Sequence, residues 1–176
     1  SAGGFDRQNV ADSAEATAHL MRKSGLENVE ILEVNGSHPY VYGEWVKKKI
    51  APTVLLYAHH DVQPTGDISR WKTAPFEPKI IGDRLFGRGA ADDKAGVVSS
   101  IAAVASYLKS VNEIPLNVKI IVEGEEEIGS GNLPHLLNEY KEKLSADFVV
   151  LSDTGNYDIG VPAVTTQLRG LVAIDI

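Results

Sequence analysis

Short runs of apolar residues predict three strands that are buried on both faces of a sheet. These runs are residues 54–58, 118–122 and 148–151, and ionisable side chains follow each of them. Two other runs rich in β-favouring residues, 29–34 and 40–46, are separated by an Asn-Gly turn signal. We expect this pair to be antiparallel and to lie beside the strand at 54–58.

Apolar residues at helical spacing alternate with these strands. Residues 7–24 carry an apolar stripe that stops at Gly25, and a second stripe begins after Lys94. Residues 129–144 predict a polar helix that is entered near Asn132-Leu133-Pro134. Proline and glycine punctuate residues 64–89, which we predict to be mostly loop. Residues 165–176 alternate like a strand. Strands that alternate with helices indicate an α/β domain with a mixed, mainly parallel sheet flanked by helices.

The candidate chemistry lies where the predicted strands end. His59 and Asp61 follow the first apolar run, and a spacing of two directs both side chains to one side of an extended chain. Glutamates at 125–127 follow the second run, Asp153 follows the third, and Asp92 lies where a helix begins. The carboxyl ends of parallel strands meet at one edge of a sheet, so these groups should converge. Clustered carboxylates need protons or a cation, which makes a divalent metal ion the simplest explanation.

The composition limits the kinds of ligand and partner. The chain has 176 residues, no cysteine and a formal net charge of -7. This length suits one domain. Because no thiolate is available, a metal site would use imidazole and carboxylate ligands, which indicate zinc, manganese or cobalt. The lack of a basic cluster argues against nucleic acid and anionic membranes as partners. No apolar run approaches ~20 residues and the first residues do not resemble a leader, so we expect a soluble, cytoplasmic protein.

Each of these elements, taken alone, has an ordinary explanation. Asp92 or Asp93 could simply cap the helix that follows, and consecutive glutamates usually form a solvated loop. A Gly-Arg-Gly run at 87–89 could cradle a phosphate, but it lacks the P-loop lysine spacing and the dinucleotide pattern. Three histidines in helix or turn settings without nearby carboxylate partners are treated as ordinary residues: His19, His38 and His135. The metal hypothesis depends on the conjunction of four groups at strand and helix ends.

In their order along the chain, the motifs resemble those of one known family. They are His59-x-Asp61-Val-Gln-Pro, Gly87-Arg-Gly-Ala-Ala-Asp92-Asp-Lys, Glu123-Gly-Glu-Glu126-Glu127-Ile-Gly-Ser and Ser152-Asp153. Over nearly its whole length the chain is similar to the co-catalytic metallopeptidases, which include aminoacylases, glutamate carboxypeptidases, succinyl-diaminopimelate desuccinylases and carnosine-type dipeptidases. The Asp-Val-Gln-Pro segment, Trp71 with Pro75-Phe-Glu-Pro78, and Thr166-Gln-Leu-Arg-Gly170 resemble the dipeptidase branch more than the others.

The resemblance implies two divalent metal ions, with zinc the first candidate. His59 and Asp153 would bind the first ion, Asp92 would bridge both ions, and Glu127 would bind the second. In the family, the peptide bond that follows the residue matched by Asp92 is cis.

The same resemblance implies an activity. Glu126 would be the general base for the attacking water, and Asp61 would orient the histidine ligand. The expected reaction is hydrolysis of the peptide bond in dipeptides or short peptides. The alternatives are an amidohydrolase that acts on N-acyl amino acids and a metal-binding domain without activity.

Family members continue into a lid or dimerisation domain and then supply a last histidine to the second metal. We therefore expect residues 1–163 to be the N-terminal part of the catalytic domain, and residues 164–176 to be the first strand leading into a further domain that this chain lacks. The full-length form would be a homodimer through that domain. No histidine follows His135, so we expect the 176 residues alone to bind metal weakly and to be inactive.

Overall fold

The computed structural model describes residues 6–34, 36–170, 172 and 174. The helices in this part of the chain are α1 (Arg7–Lys23), α2 (Lys94–Val111), α3 (Leu133–Glu139) and α4 (Lys141–Leu144). The strands are β1 (Glu27–Leu32), β2 (Tyr40–Trp45), β3 (Thr53–His59), β4 (Lys79–Ile81), β5 (Arg84–Phe86), β6 (Asn117–Glu123) and β7 (Phe148–Leu151). Short 3-10 helices span Ile68–Arg70 and Glu126–Ile128.

Five strands form the central sheet in the order β1-β2-β6-β3-β7. β3 is parallel to β6 and β7, whereas β2 is antiparallel to β1 and β6. Four of these five strands therefore run in one direction, which confirms the prediction of a mixed, mainly parallel sheet. The expectation that the β1–β2 pair lies beside β3 was wrong. β6 lies between them, because its almost continuously buried run suits the centre of the sheet.

Helices cover both faces of this sheet, and each face has its own apolar core. α1 and α2 cover the face formed by alternate residues such as Ala58 and Ile120. α3 and α4 cover the other face, where Leu136 packs near Leu55 and Ile121. Both faces of the sheet are thus occupied by apolar packing. Because β3, β6 and β7 are parallel, the polar side chains that follow them lie together at the carboxyl ends of these strands.

The first helix agrees with its prediction at both ends. Asp6 caps α1, accepting a hydrogen bond of 3.0 Å from the main-chain nitrogen of Gln8. Gly25 follows the helix with a φ of +94°, and an added Cβ there would lie 2.8 Å from the side chain of Leu108. Glycine is thus required both by the conformation and by the close approach of α2.

Several other predicted elements need correction. The helix predicted within residues 129–144 begins at Leu133, where its entry was expected, with Pro134 in its first turn. It is not one continuous helix, since it is divided into α3 and α4 at Tyr140. β7 has its predicted position but is not buried, because it is the edge strand, and its four residues are 47–64% exposed. The predicted loop at 64–89 contains the hairpin β4–β5.

The strand predicted at 165–176 is not present in the described residues of this segment. Residues 165–170, 172 and 174 have no regular secondary structure, and the other four lie outside the described residues. Among the described residues, no helix combines the length and the apolar character needed to cross a membrane.

Candidate metal centre

His59 is the last residue of β3 and occupies the middle of the candidate site. Its side chain is fully buried, and Nε2 faces three carboxylates. Asp92 Oδ1 lies 2.9 Å from this nitrogen, Asp153 Oδ2 lies 3.8 Å away and Glu126 Oε2 lies 3.9 Å away. The structure therefore brings four of the six predicted site residues together around one ring nitrogen.

Asp61 lies on the other side of the same imidazole ring. His59 Nδ1 is 3.1 Å from the main-chain oxygen of Asp61 and 3.3 Å from its Oδ1. The buried carboxylate also accepts hydrogen bonds from the main-chain N–H groups of Glu126, at 3.3 Å, and Glu127, at 2.9 Å. Because Asp61 holds the proton on Nδ1, loss of the Nε2 proton would leave a lone pair directed toward the three carboxylates, as a metal ligand requires.

The two aspartates before α2 have different partners. The peptide bond that joins them is cis, as the resemblance implies. Asp93 is the buried N-cap, and its two carboxylate oxygens accept from the main-chain nitrogens of Gly96, at 3.0 Å, and His59, at 3.3 Å. The side chain of Asp92 is 67% exposed and reaches the His59 ring. Asp93 therefore fixes the backbone, whereas Asp92 presents its carboxylate to the site.

Asp93 is nevertheless a second candidate ligand. One atom from each of His59, Asp93 and Asp153 lies within 4.8 Å of the other two. Because both oxygens of Asp93 already accept main-chain hydrogen bonds, we retain Asp92 as the first candidate.

Glu126 and Glu127 form the start of the 3-10 turn that follows β6, and their carboxylates have different neighbours. Glu126 faces His59, as described above. Glu127 Oε2 accepts a hydrogen bond of 3.0 Å from Nε2 of Gln63, and the same nitrogen donates to the main-chain oxygen of Glu127 at 2.7 Å. Adjacent glutamates are thus held by different partners, which the two separate roles predicted for them require.

The electrostatics of the site follow from burial and from these close contacts. Burial acts to lower the pKa of His59, but Asp61 and the other carboxylates outweigh it and raise the pKa to about 9. Burial raises the pKa of Glu126, and the charges of Asp153 and Glu127 raise it further against the opposing effect of His59. Burial opposes the shift at Asp61, yet the hydrogen bonds from His59 and the Glu127 N–H hold its pKa below the usual value.

The donor set fits a divalent cation. One imidazole nitrogen and several carboxylate oxygens converge, and the chain has no thiolate to compete. His59 Nε2 lies 2.9 Å from a carboxylate oxygen of Asp92 and 3.8 Å from one of Asp153, so an ion bound to the nitrogen could reach both. The group whose ligand atoms all lie within 4.8 Å of one another contains Asp93 in place of Asp92. Without metal, the proton on the ring balances part of the carboxylate charge, and a cation would take over that function.

The other histidines have different settings. His60 is buried with Nε2 3.0 Å from the main-chain oxygen of Pro39, and burial lowers its pKa to about 4. His135 was expected to lack a carboxylate partner, which was wrong, because Glu139 Oε2 lies 3.6 Å away on the next turn of α3. That pair is solvent exposed, so it remains an ordinary surface contact.

Two residues with contacts in this region were given no role from the sequence. Gln63 holds Glu127, and Glu125 is the buried first member of the glutamate run. A signal for Gln63 was present, since it lies two residues after Asp61 and so on the same side of an extended chain.

Together, the fold and site describe an α/β domain whose strand ends carry a candidate metal centre. The chain belongs to peptidase family M20/M25/M40, whose family model matches residues 55–167. Among curated proteins it is 39% identical over 124 residues to a cysteinylglycine-S-conjugate dipeptidase of Corynebacterium striatum. That match covers 68% of this chain and 26% of the relative. The family and its dipeptidase branch, predicted from the motifs, are thus confirmed.

Solved structures show the same relationship. The crystal structure of human carnosine dipeptidase 1 matches with a TM-score of 0.76 and 29% identity, covering 84% of this chain and 33% of that one. An M20 family metallo-carboxypeptidase from Sulfolobus solfataricus matches with a TM-score of 0.73 and 37% identity, covering 85% and 32%. The chain therefore spans about a quarter to a third of the length of these relatives.

Proposed function

We propose that this chain carries the metal centre of a metallopeptidase that hydrolyses the peptide bond of dipeptides or short peptides. The observation that carries the proposal is the group of three carboxylates, from Asp92, Glu126 and Asp153, that face one buried nitrogen of His59. The similarity to a dipeptidase and to a metallo-carboxypeptidase favours the peptide bond as the target.

His59, Asp92 and Asp153 would hold one divalent ion, and Asp92 would be shared with a second ion that Glu127 also binds. Nitrogen and oxygen donors suit zinc first, with manganese and cobalt as alternatives. When bound, the metal supplies Lewis acidity, which polarises the scissile carbonyl and favours formation of a nucleophile from water near neutral pH.

The side chains of the chain supply the remaining steps. Glu126 takes a proton from the attacking water and passes it to the leaving amine nitrogen, and its raised pKa makes it a stronger base than an ordinary glutamate. Asp61 holds the Nδ1 proton of His59, which leaves Nε2 free to bind. Gln63 keeps the carboxylate of Glu127 in place beside the base.

A substrate panel with the full-length protein tests this function. Dipeptides are compared with N-acetyl and N-succinyl amino acids, after loading with zinc, manganese or cobalt and after chelation. We expect metal-dependent hydrolysis of dipeptides that Glu126→Gln abolishes, while Glu139→Gln on the exposed surface of α3 leaves it unchanged. Cleavage of the N-acyl substrates alone would establish the amidohydrolase alternative. Bound metal without hydrolysis of either class would establish a metal-binding domain.

A further inference from the structure

Glu125 is a buried carboxylate to which neither the motifs nor the proposed mechanism gives a role. Only 2% of its surface is exposed. A buried carboxylate is costly unless hydrogen bonds compensate it, and this one accepts four. The donors are His38 N at 3.1 Å, Tyr40 Oη at 3.0 Å, Asn132 N at 2.8 Å and Asn132 Nδ2 at 3.2 Å.

These four donors belong to two segments that contact the turn after β6. His38 precedes β2, Tyr40 begins β2, and Asn132 directly precedes α3. The main-chain oxygen of Glu125 is also engaged, accepting from the nitrogens of Ser130, at 2.9 Å, and Ile128, at 3.3 Å. Glu125 is thus fixed through both its side chain and its main chain.

The proposed base and the proposed ligand of the second ion are the two residues that follow Glu125 in the turn. Glu126 and Glu127 follow it directly, and their main-chain N–H groups both donate to Asp61. The turn is therefore held between two buried carboxylates, Asp61 on the side of the β3 end and Glu125 on the side of β2 and α3. We propose that Glu125 is a positioning residue that sets the directions of Glu126 and Glu127. This inference rests on the proposed function, because it concerns the same proposed base and ligand.

An amide cannot replace this carboxylate. Oε1 of Glu125 faces the main-chain N–H of Asn132, and Oε2 faces the main-chain N–H of His38. These backbone donors cannot reverse their polarity, unlike the hydroxyl of Tyr40 or the side-chain amide of Asn132. In Glu125→Gln, either orientation of the new NH2 group directs a donor at a donor, although the side-chain size is nearly unchanged.

Amide hydrogen exchange on the metal-free protein gives a readout that does not depend on activity. In Glu125→Gln we expect the amides of Glu126 and Glu127 to exchange at least about tenfold faster, while the amides of β6 keep their protection. The control is Val104→Ala, a buried substitution in α2 away from the turn, which destabilises the fold without exposing these two amides selectively.

Zinc binding and steady-state kinetics complete the experiment. We expect Glu125→Gln to weaken zinc binding by about 10- to 100-fold, as loss of a group that holds a ligand does, and to lower kcat far more than it changes KM. Tyr40→Phe removes one of the four donors, a hydroxyl that also lies 3.1 Å from Glu123 Oε1, and it should show a smaller effect of the same kind at Glu126 and Glu127. If Glu125→Gln does not fold, the same exchange and zinc-binding measurements on Tyr40→Phe test the positioning role.

The outcomes separate this inference from the proposed function. Wild-type amide protection and zinc affinity in Glu125→Gln, or losses no more local than those of Val104→Ala, would overturn the positioning role. If the exchange and zinc results are as expected but the wild-type protein cleaves no dipeptide, the positioning role stands and the proposed function fails.

Discussion

The carboxylate of Asp61 accepts a hydrogen bond from the main-chain N–H of Glu127, with Oδ2 2.9 Å from the nitrogen. Its other oxygen faces the Nδ1 atom of His59 at 3.3 Å. One buried side chain thus connects the end of β3 with the turn after β6, and it orients the imidazole and both glutamates together. A change at Asp61 should therefore affect the whole candidate site rather than the histidine alone.

Asp61→Asn tests this connection. The new NH2 group must replace either Oδ1, which faces the ring and the N–H of Glu126, or Oδ2, which accepts from the N–H of Glu127, so at least one contact is lost. We expect zinc affinity to fall by about 10- to 100-fold, measured by calorimetric titration. Asp83→Asn, an exposed substitution in the turn of the β4–β5 hairpin, is the matched control and should bind zinc as the wild type does. Unchanged affinity in Asp61→Asn would contradict the connecting role.

Substitution of the adjacent glutamates should give two different results. Glu126→Gln removes the proposed base but no proposed ligand, so metal content should stay near that of the wild type while kcat falls by about 10²- to 10⁴-fold. Glu127→Gln should instead lower the metal content, because a ligand of the second ion is lost. Elemental analysis of both variants beside steady-state kinetics measures this. The reverse pattern, with metal lost only in Glu126→Gln, would exchange the two assignments.

Zinc binding by the metal-free protein should depend on pH in a defined direction. The pKa of His59 is raised to about 9, so at neutral pH Nε2 must lose its proton before it can bind a metal ion. Apparent affinity should therefore rise by about tenfold per unit between pH 6 and 8 and level off above about pH 9. Calorimetry in buffers of different ionisation enthalpy reports the proton released. Affinity that is flat across this range would show that His59 is not a ligand.

A stability prediction concerns Asn117, at the start of β6. Its buried side chain accepts from the main-chain nitrogens of Lys47 and Lys48, at 3.1 and 3.0 Å, and donates to the main-chain oxygens of Lys48 and Ala51, at 2.8 and 3.3 Å. Asn117→Ala should lower the free energy of unfolding by about 2–4 kcal/mol, because these four groups lose their partner.

Urea denaturation measures this loss. Asn138→Ala, an exposed substitution on α3, is the control and should change the free energy of unfolding by less than about 0.5 kcal/mol. Equal effects of the two substitutions would show that Asn117 does not hold the loop before β3.

The features that the sequence predicted well are those set by local pattern. β3, β6 and β7 were predicted from short apolar runs, and the two-residue spacing of His59 and Asp61 predicted that both act from one side of the chain. The convergence of strand ends follows from parallel pairing alone, which requires no knowledge of the exact strand order.

The features that it missed depend on contacts between distant segments. Strand order places β6 between β2 and β3 and leaves β7 exposed at the edge, and apolar runs carry no information about which strand is central. The hydrogen bond from Gln63 to Glu127 joins residues 64 positions apart. Glu125 is a glutamate in the same short run as the neighbours that contact the site, and it is distinguished by its contacts with His38, Tyr40 and Asn132.

The position of a bound metal ion is the most direct test of the candidate metal centre. Crystals of the protein soaked with zinc give an anomalous difference peak that locates the ion independently of any activity. We predict a peak about 2.0–2.2 Å from His59 Nε2 and from carboxylate oxygens of Asp92 and Asp153. A zinc peak elsewhere, for example at the exposed pair His135 and Glu139, with none beside His59, would show that His59 is not at the metal centre.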